Sequence, residues 1–198
     1  MKVIFLDFDG VITTEASYSR LDLEKMKLVK KICDETGAKI VISSSWRYNT
    51  LEKTIEYITN TDNYFVPIPF LMPELVVGVT PRFEIKYKDE YAFVPRGVEI
   101  RYYLHKHKEI DSYVIIDDDS DMLLCQKDNF VQTDSIIGIT EEDVRKAIKI
   151  LNMDKKRQMY HSLAFSFGLH VKQLLASFSG KYYGKRSIEN RKKNKNIK

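Results

Sequence analysis

Three unbroken apolar runs punctuate the chain: Val3-Ile4-Phe5-Leu6, Ile40-Val41-Ile42 and Tyr113-Val114-Ile115-Ile116. A strand with one wet face alternates, whereas one covered on both faces does not, so these runs predict central strands of a parallel sheet. Between them the spacing turns helical. Leu21, Leu28, Val29, Ile32 and Cys33 predict a helix over 21–35, closed by Gly37. Val98, Ile100, Tyr103 and Leu104 mark another that begins near Pro95. Thr140, followed by Glu141, Glu142 and Asp143, caps a third with Val144, Ala147, Ile148 and Leu151 on its core face. Residues 129–132 read as a short further strand. Strand, helix, strand in this order forms right-handed crossovers, and the fold class is α/β with a doubly wound, mostly parallel, Rossmann-like sheet.

Residues 61–95 break the alternation. They hold every proline of the chain, Pro67, Pro69, Pro73, Pro81 and Pro95, and the segment from Phe83 to Val94 predicts a β-hairpin. The segment reads as a small insertion that shapes the entrance of a pocket, within a core spanning 1–151. From residue 152 the pattern changes again. Met159, Leu163, Phe167, Val171 and Leu174 form a helical stripe, and residues 180–198 are rich in Lys, Arg and Asn and read as disordered.

Charge sharpens that division. Residues 151–198 hold 12 Lys and Arg against 2 acids, +10, which leaves −6 on the first 150 residues against a total of +4. A basic tail containing Tyr182 and Tyr183 is suited to contact nucleic acid. No apolar stretch approaches the ~20 residues of a membrane span and no leader precedes the first strand, so the expectation is a cytoplasmic protein without membrane contact. Cys33 and Cys125 stand apart at no ligand spacing and read as reduced.

The chemistry lies where the apolar runs stop. Val3–Leu6 leads into Asp7-Phe8-Asp9-Gly10, with two carboxylates one residue apart and a glycine that lets the backbone turn. Ile40–Ile42 leads into Ser43-Ser44-Ser45-Trp46-Arg47, hydroxyls that either cap the helix beginning near residues 49–50 or face a ligand. Trp46 and Arg47 read equally as packing and solvated residues or as partners of a bound anion or base. The third run ends in Asp117, Asp118, Asp119 and Asp121. Like charge concentrated after a buried strand calls for a cation.

Asp7-Phe8-Asp9-Gly10-Val11, the Ser44 strand tip and the Asp117 strand tip, taken in order, resemble the motifs of the haloacid-dehalogenase-like (HAD) hydrolases, phosphatase type. The resemblance covers residues 1–151 and implies a Mg²⁺-dependent phosphohydrolase working through an aspartyl-phosphate. It implies Asp7 as nucleophile, Asp9 as acid and base, Ser44 (or Ser43) on a phosphate oxygen, and Arg96 as the cation of the third motif, with Lys86, Lys88 and Arg101 as alternatives. Mg²⁺ would draw on Asp7, Asp9, Asp117 or Asp118, and Asp121; Gly10, Ser43, Ser45, Trp46 and Arg47 would border the substrate. The expected substrate is a nucleotide or a nucleic-acid phosphate end. A small phosphorylated metabolite, or a non-catalytic nucleic-acid-binding module on the same fold, are the alternatives.

Overall fold

A computed structural model of the chain describes residues 1–87 and 90–153, with residues 85–87 and 90–93 described by their backbone alone. The helical stripe and basic end expected beyond residue 153 lie outside the described residues. In chain order the elements are β1 (Lys2–Leu6), α1 (Leu23–Thr36), β2 (Lys39–Ile42), α2 (Leu51–Thr59), β3 (Val76–Val79), β4 (Glu84–Tyr87), β5 (Glu90–Phe93), α3 (Arg96–Lys106), β6 (Ser112–Asp117), β7 (Phe130–Gln132) and α4 (Glu141–Leu151).

Five strands form one sheet in the order β3-β2-β1-β6-β7, every pairing parallel. The apolar runs therefore occupy the centre, and Val3, Ile4, Phe5 and Leu6 of β1 are all fully buried. Alternate residues serve opposite faces. Ile4 and Leu6 join Met26, Val29, Ile58 and Val144 in the larger core, so α1, α2 and α4 cover one face. Val3 and Phe5 join Ile100 and Tyr103 of α3 on the other.

The helix ends follow local chemistry. Asp22 accepts from the amides of Glu24 and Lys25 at the start of α1, and Gly37 closes it with φ 70°. Thr50, not the serine run, caps α2. Thr140 and Asp143 form a capping box on α4.

The region expected to be a single insertion divides in two. Val76–Val79 is an edge strand of the main sheet, paired to β2 from Ile40↔Val76 to Ile42↔Val79, and only the β4–β5 hairpin stands outside it. Four residues between a Pro-initiated turn and Thr80 are too short a run to announce a strand by periodicity. No helix among the described residues is long and apolar enough to cross a membrane.

Chain order reverses at β1: the first three strands build to one side, and β6 and β7 to the other. Such a switch point opens a crevice at the carboxyl ends of the strands. Register makes the crevice level, because Leu6 pairs with Ile42 on one side and Ile116 on the other. Residues that follow these strands emerge together.

Candidate active site

Asp7 leaves β1 still tied to β6, its amide donating to the Ile116 carbonyl at 3.0 Å. The Phe8 amide donates to Asp7 Oδ1 at 2.7 Å, which fixes the carboxylate. Phe8 points into the core and stacks on Phe70 with centroids 5.4 Å apart. Its carbonyl accepts from the amides of Val11, Ile12 and Thr13, a turn that needs the positive φ of Gly10, 67°.

Across the crevice, Asp117 is 1% exposed and ends β6. Its Oδ1 accepts from the Asp119 amide at 2.9 Å. Carboxylate oxygens of Asp7, Asp117 and Asp118 come within 4.8 Å of one another. Burial pushes the Asp7 and Asp117 carboxyls well above the ordinary carboxylate range, the Asp7 charge raises Asp117 further and Asp9 adds to Asp7, while Arg96 pulls both back. Burial raises Asp118 too, assisted by Asp119. Three converging hard anionic oxygens with no His or Cys suit Mg²⁺, and a divalent cation removes the repulsion between them.

Gly10 sets the reach of this cluster. A Cβ added there would lie 2.4 Å from the Asp118 carboxylate carbon, at a backbone angle that L residues avoid. Gly10→Ala is therefore expected to push Asp118 out of the cluster and raise the Mg²⁺ midpoint of thermal stabilisation about 10- to 100-fold. An unchanged midpoint would remove Asp118 from the ligand set.

Asp121 does not join the cluster. It is exposed, and its Oδ2 accepts from the Arg96 amide at 2.8 Å, capping α3. An unpaired helix amide nearby is the stronger claim on a surface carboxylate. Gly97 allows α3 to approach the acidic loop, since a Cβ would meet Leu123 N at 2.5 Å. Gln126 staples the contact, donating to the Gly97 carbonyl at 2.9 Å and accepting from the Leu123 amide at 2.8 Å. Arg96 is thereby brought among the carboxylates, and its Nη1 is buried with no hydrogen-bond partner among the described residues. Of the alternatives, Arg101 turns to Cys125, Lys88 is outside the described residues, and the Lys86 side chain is not described.

The serine run splits by role. Ser44 is fully buried and hydrogen-bonds the Asp7 carboxylate, whereas the Ser43 hydroxyl is buried without a partner among the described residues. Ser45 is exposed and donates to Asp9 Oδ2 at 3.0 Å. Trp46 donates its indole N–H to Asp9 Oδ1 at 2.9 Å, and Thr13 donates to the same oxygen at 3.1 Å. Asp9 thus faces the tip of β2 while its neighbour two residues back faces the acidic cluster.

Arg47 is not the solvated residue that one reading expects, and the protein itself engages its guanidinium. It is 5% exposed, with Nε donating to the Thr80 carbonyl at 2.9 Å, Nη1 to the Ser44 carbonyl, and Nη2 to the Pro81 carbonyl at 3.1 Å and to Glu99. Four of its five N–H donors are spent on protein. The exposed guanidinium at the crevice is Arg82, which lies beyond β3 and donates to the Ser45 carbonyl at 2.8 Å. Thr13 and Arg82 carry no sequence signal, since neither sits in a motif and the strand before Arg82 is too short to recognise.

A family model describing the HAD domain in Swiss Army Knife RNA repair proteins matches residues 3–144. The chain belongs to this family. No curated protein and no solved structure matches it. The HAD assignment accounts for the order of the tips, β1 carrying Asp7, β2 Ser44 and β6 Asp117, and makes the chain a HAD-like hydrolase domain.

Proposed function

We propose that the chain is a phosphohydrolase that removes a terminal phosphate from a nucleic-acid end. The observation that carries this reading is the convergence on Asp7 of a hydroxyl, Ser44, a cation, Arg96, and a carboxylate cluster. The name of the matching family, which speaks of RNA repair proteins, supports the nucleic-acid substrate.

Asp7 attacks phosphorus in line, forming a P–O bond as the ester P–O bond breaks. Asp9, two residues on, gives a proton to the departing oxygen, then takes one from the water that cleaves the acyl phosphate. Ser44 and Arg96 hold the phosphoryl oxygens as charge spreads over them. Asp7, Asp117 and Asp118 would hold Mg²⁺, which supplies charge neutralisation at the phosphoryl group. The hydrogen bonds from Trp46, Thr13 and Ser45 orient Asp9.

The test is hydrolysis of an aryl phosphate and of phosphate-ended RNA with Mg²⁺ or EDTA, alongside melting curves at pH 5.5 and pH 8. Activity is expected only with Mg²⁺. The pH dependence follows from the raised carboxyls. An unfolded chain has released these protons above about pH 4, while the folded chain retains more of them, so metal-free stability falls as pH rises. Mg²⁺ displaces those protons and stabilises more at pH 8. At 100-fold excess over its Kd the gain is about 2.7 kcal/mol, or roughly 5–10 °C. A protein that hydrolyses neither substrate and shows no Mg²⁺-dependent melting shift at pH 8 would refute the reading.

A further inference from the structure

Beside Asp9 the surface changes character. Two clefts, of about 370 Å³ and about 400 Å³, open next to the β2 tip and share Arg47, Tyr48, Asn49 and Arg82. Neither is lined by a carboxylate, although the first 150 residues carry net −6. Lys53 and Arg82 line the first cleft, and Arg82 and Lys106 line the second.

The first cleft starts at Ser45 and Trp46, the side chains that bind Asp9. It therefore adjoins the place from which a leaving group departs. Arg82 stands at the junction: it also borders the opening lined by Arg96 and Asp121, about 300 Å³. One terminal nitrogen of Arg82 is anchored on the carbonyls of Ser45 and Arg47, at 2.8 and 3.4 Å. Anchored and exposed, the guanidinium presents its remaining donors without a large loss of side-chain freedom.

Exposed aromatic faces accompany the cations. Tyr48 is 49% exposed and Tyr102 is 44% exposed. Each is propped from behind, Tyr48 by Tyr57 at 5.4 Å and Tyr102 by Phe83 at 5.1 Å. Lys106 Nζ lies 5.6 Å from the Tyr102 ring centroid. Cations that follow a backbone, with aromatic planes that accept bases, are how proteins hold single strands without reading sequence.

We propose that the two clefts form a track for single-stranded nucleic acid, entered at Arg82, that seats the nucleotides next to a terminal phosphate held at Asp7. The proposal rests on the phosphohydrolase reading for the position of the terminal phosphate. The track itself rests on the clefts, the cations and the tyrosines. A mononucleotide fills only the first cleft, whereas a strand of several nucleotides reaches Tyr102. Paired bases are already stacked on one another and offer no free face to Tyr48.

The test uses the full chain and a fluorescein-labelled, phosphate-ended RNA tetranucleotide, with binding read by anisotropy in EDTA at fixed salt so that Mg²⁺-dependent turnover does not consume the RNA. Tyr48→Ala, Arg82→Ala and Lys106→Ala are each expected to weaken binding about 10-fold. Tyr48→Phe should restore it, because the stacking face is kept. A duplex of equal length should compete about 10-fold less well or worse. The basic C-terminal segment is present in every variant and cancels in the comparison.

Affinities within about twofold of wild type for all three alanine variants would overturn the track, as would a duplex that competes equally. If wild type hydrolyses no phosphomonoester while the alanine variants still lose RNA binding, the phosphohydrolase reading fails and the track stands. If aryl phosphate is hydrolysed and RNA binding is indifferent to the three substitutions, the phosphohydrolase stands and the track fails.

Discussion

Asp7→Asn is expected to lower phosphomonoester turnover by a factor on the order of 10⁴ or more while the domain stays folded. The amide keeps the shape of the side chain and an oxygen to accept from the Phe8 amide, the 2.7 Å bond that fixes this residue. It removes the proposed nucleophile and one of the three converging carboxylates. Burial already penalises the charged form of Asp7, and the Asp7 charge is one reason Asp117 is held above its ordinary range. In EDTA at pH 8, therefore, the variant should melt at a higher temperature than wild type. It should also respond less to Mg²⁺, having lost a ligand. Two readouts thus move in opposite directions, activity down and metal-free stability up, which no general misfolding produces. Continued hydrolysis by the variant would exclude Asp7 as nucleophile, and a lower melting temperature in EDTA would show that its carboxylate is needed by the fold.

Burial leaves the plainest mark on a sequence. A strand covered on both faces must be apolar throughout, so β1, β2 and β6 declare themselves, and their registers bring Asp7, Ser44 and Asp117 to one edge. Capping is local chemistry and is equally visible in Gly37 and Thr140. Roles that depend on side-chain direction are not. Asp121 and Asp118 are indistinguishable by type, yet one caps α3 and the other joins the cluster because Gly10 leaves it room. Trp46 reads from sequence as packing or as a ligand plane; it packs on Phe8 and also holds Asp9. The short β3 hides among prolines, and with it the position of Arg82.

Arg47→Ala carries the largest expected loss of stability, about 3–5 kcal/mol, which for a chain of this size is roughly 6–20 °C in melting temperature. The guanidinium ties the β2 tip, through the Ser44 carbonyl, to the segment after β3, through Thr80 and Pro81, and to α3, through Glu99. Both charged side chains of the pair are almost wholly buried, at 3% and 4% exposed. Burial lowers Arg47 to about 10 and raises Glu99, so the pair exists because each charge answers the other. Truncating Arg47 takes the closest cation from the Glu99 carboxylate, which keeps the Phe83 amide at 2.9 Å and Arg96 Nη1 at 3.9 Å, and removes the guanidinium bonds to the Thr80 and Pro81 carbonyls. Glu99→Gln should cost less, since the amide oxygen still accepts from Arg47. The double change Arg47→Met with Glu99→Leu removes both charges and should recover much of the loss in melting temperature, yet leave turnover depressed because the Ser44 carbonyl keeps only the residue 47 amide and loses the guanidinium. If Arg47 instead served the substrate, Arg47→Ala would raise KM while the melting temperature stayed within a few degrees of wild type. Measuring both quantities on the same preparation separates a residue that builds the site from one that binds in it.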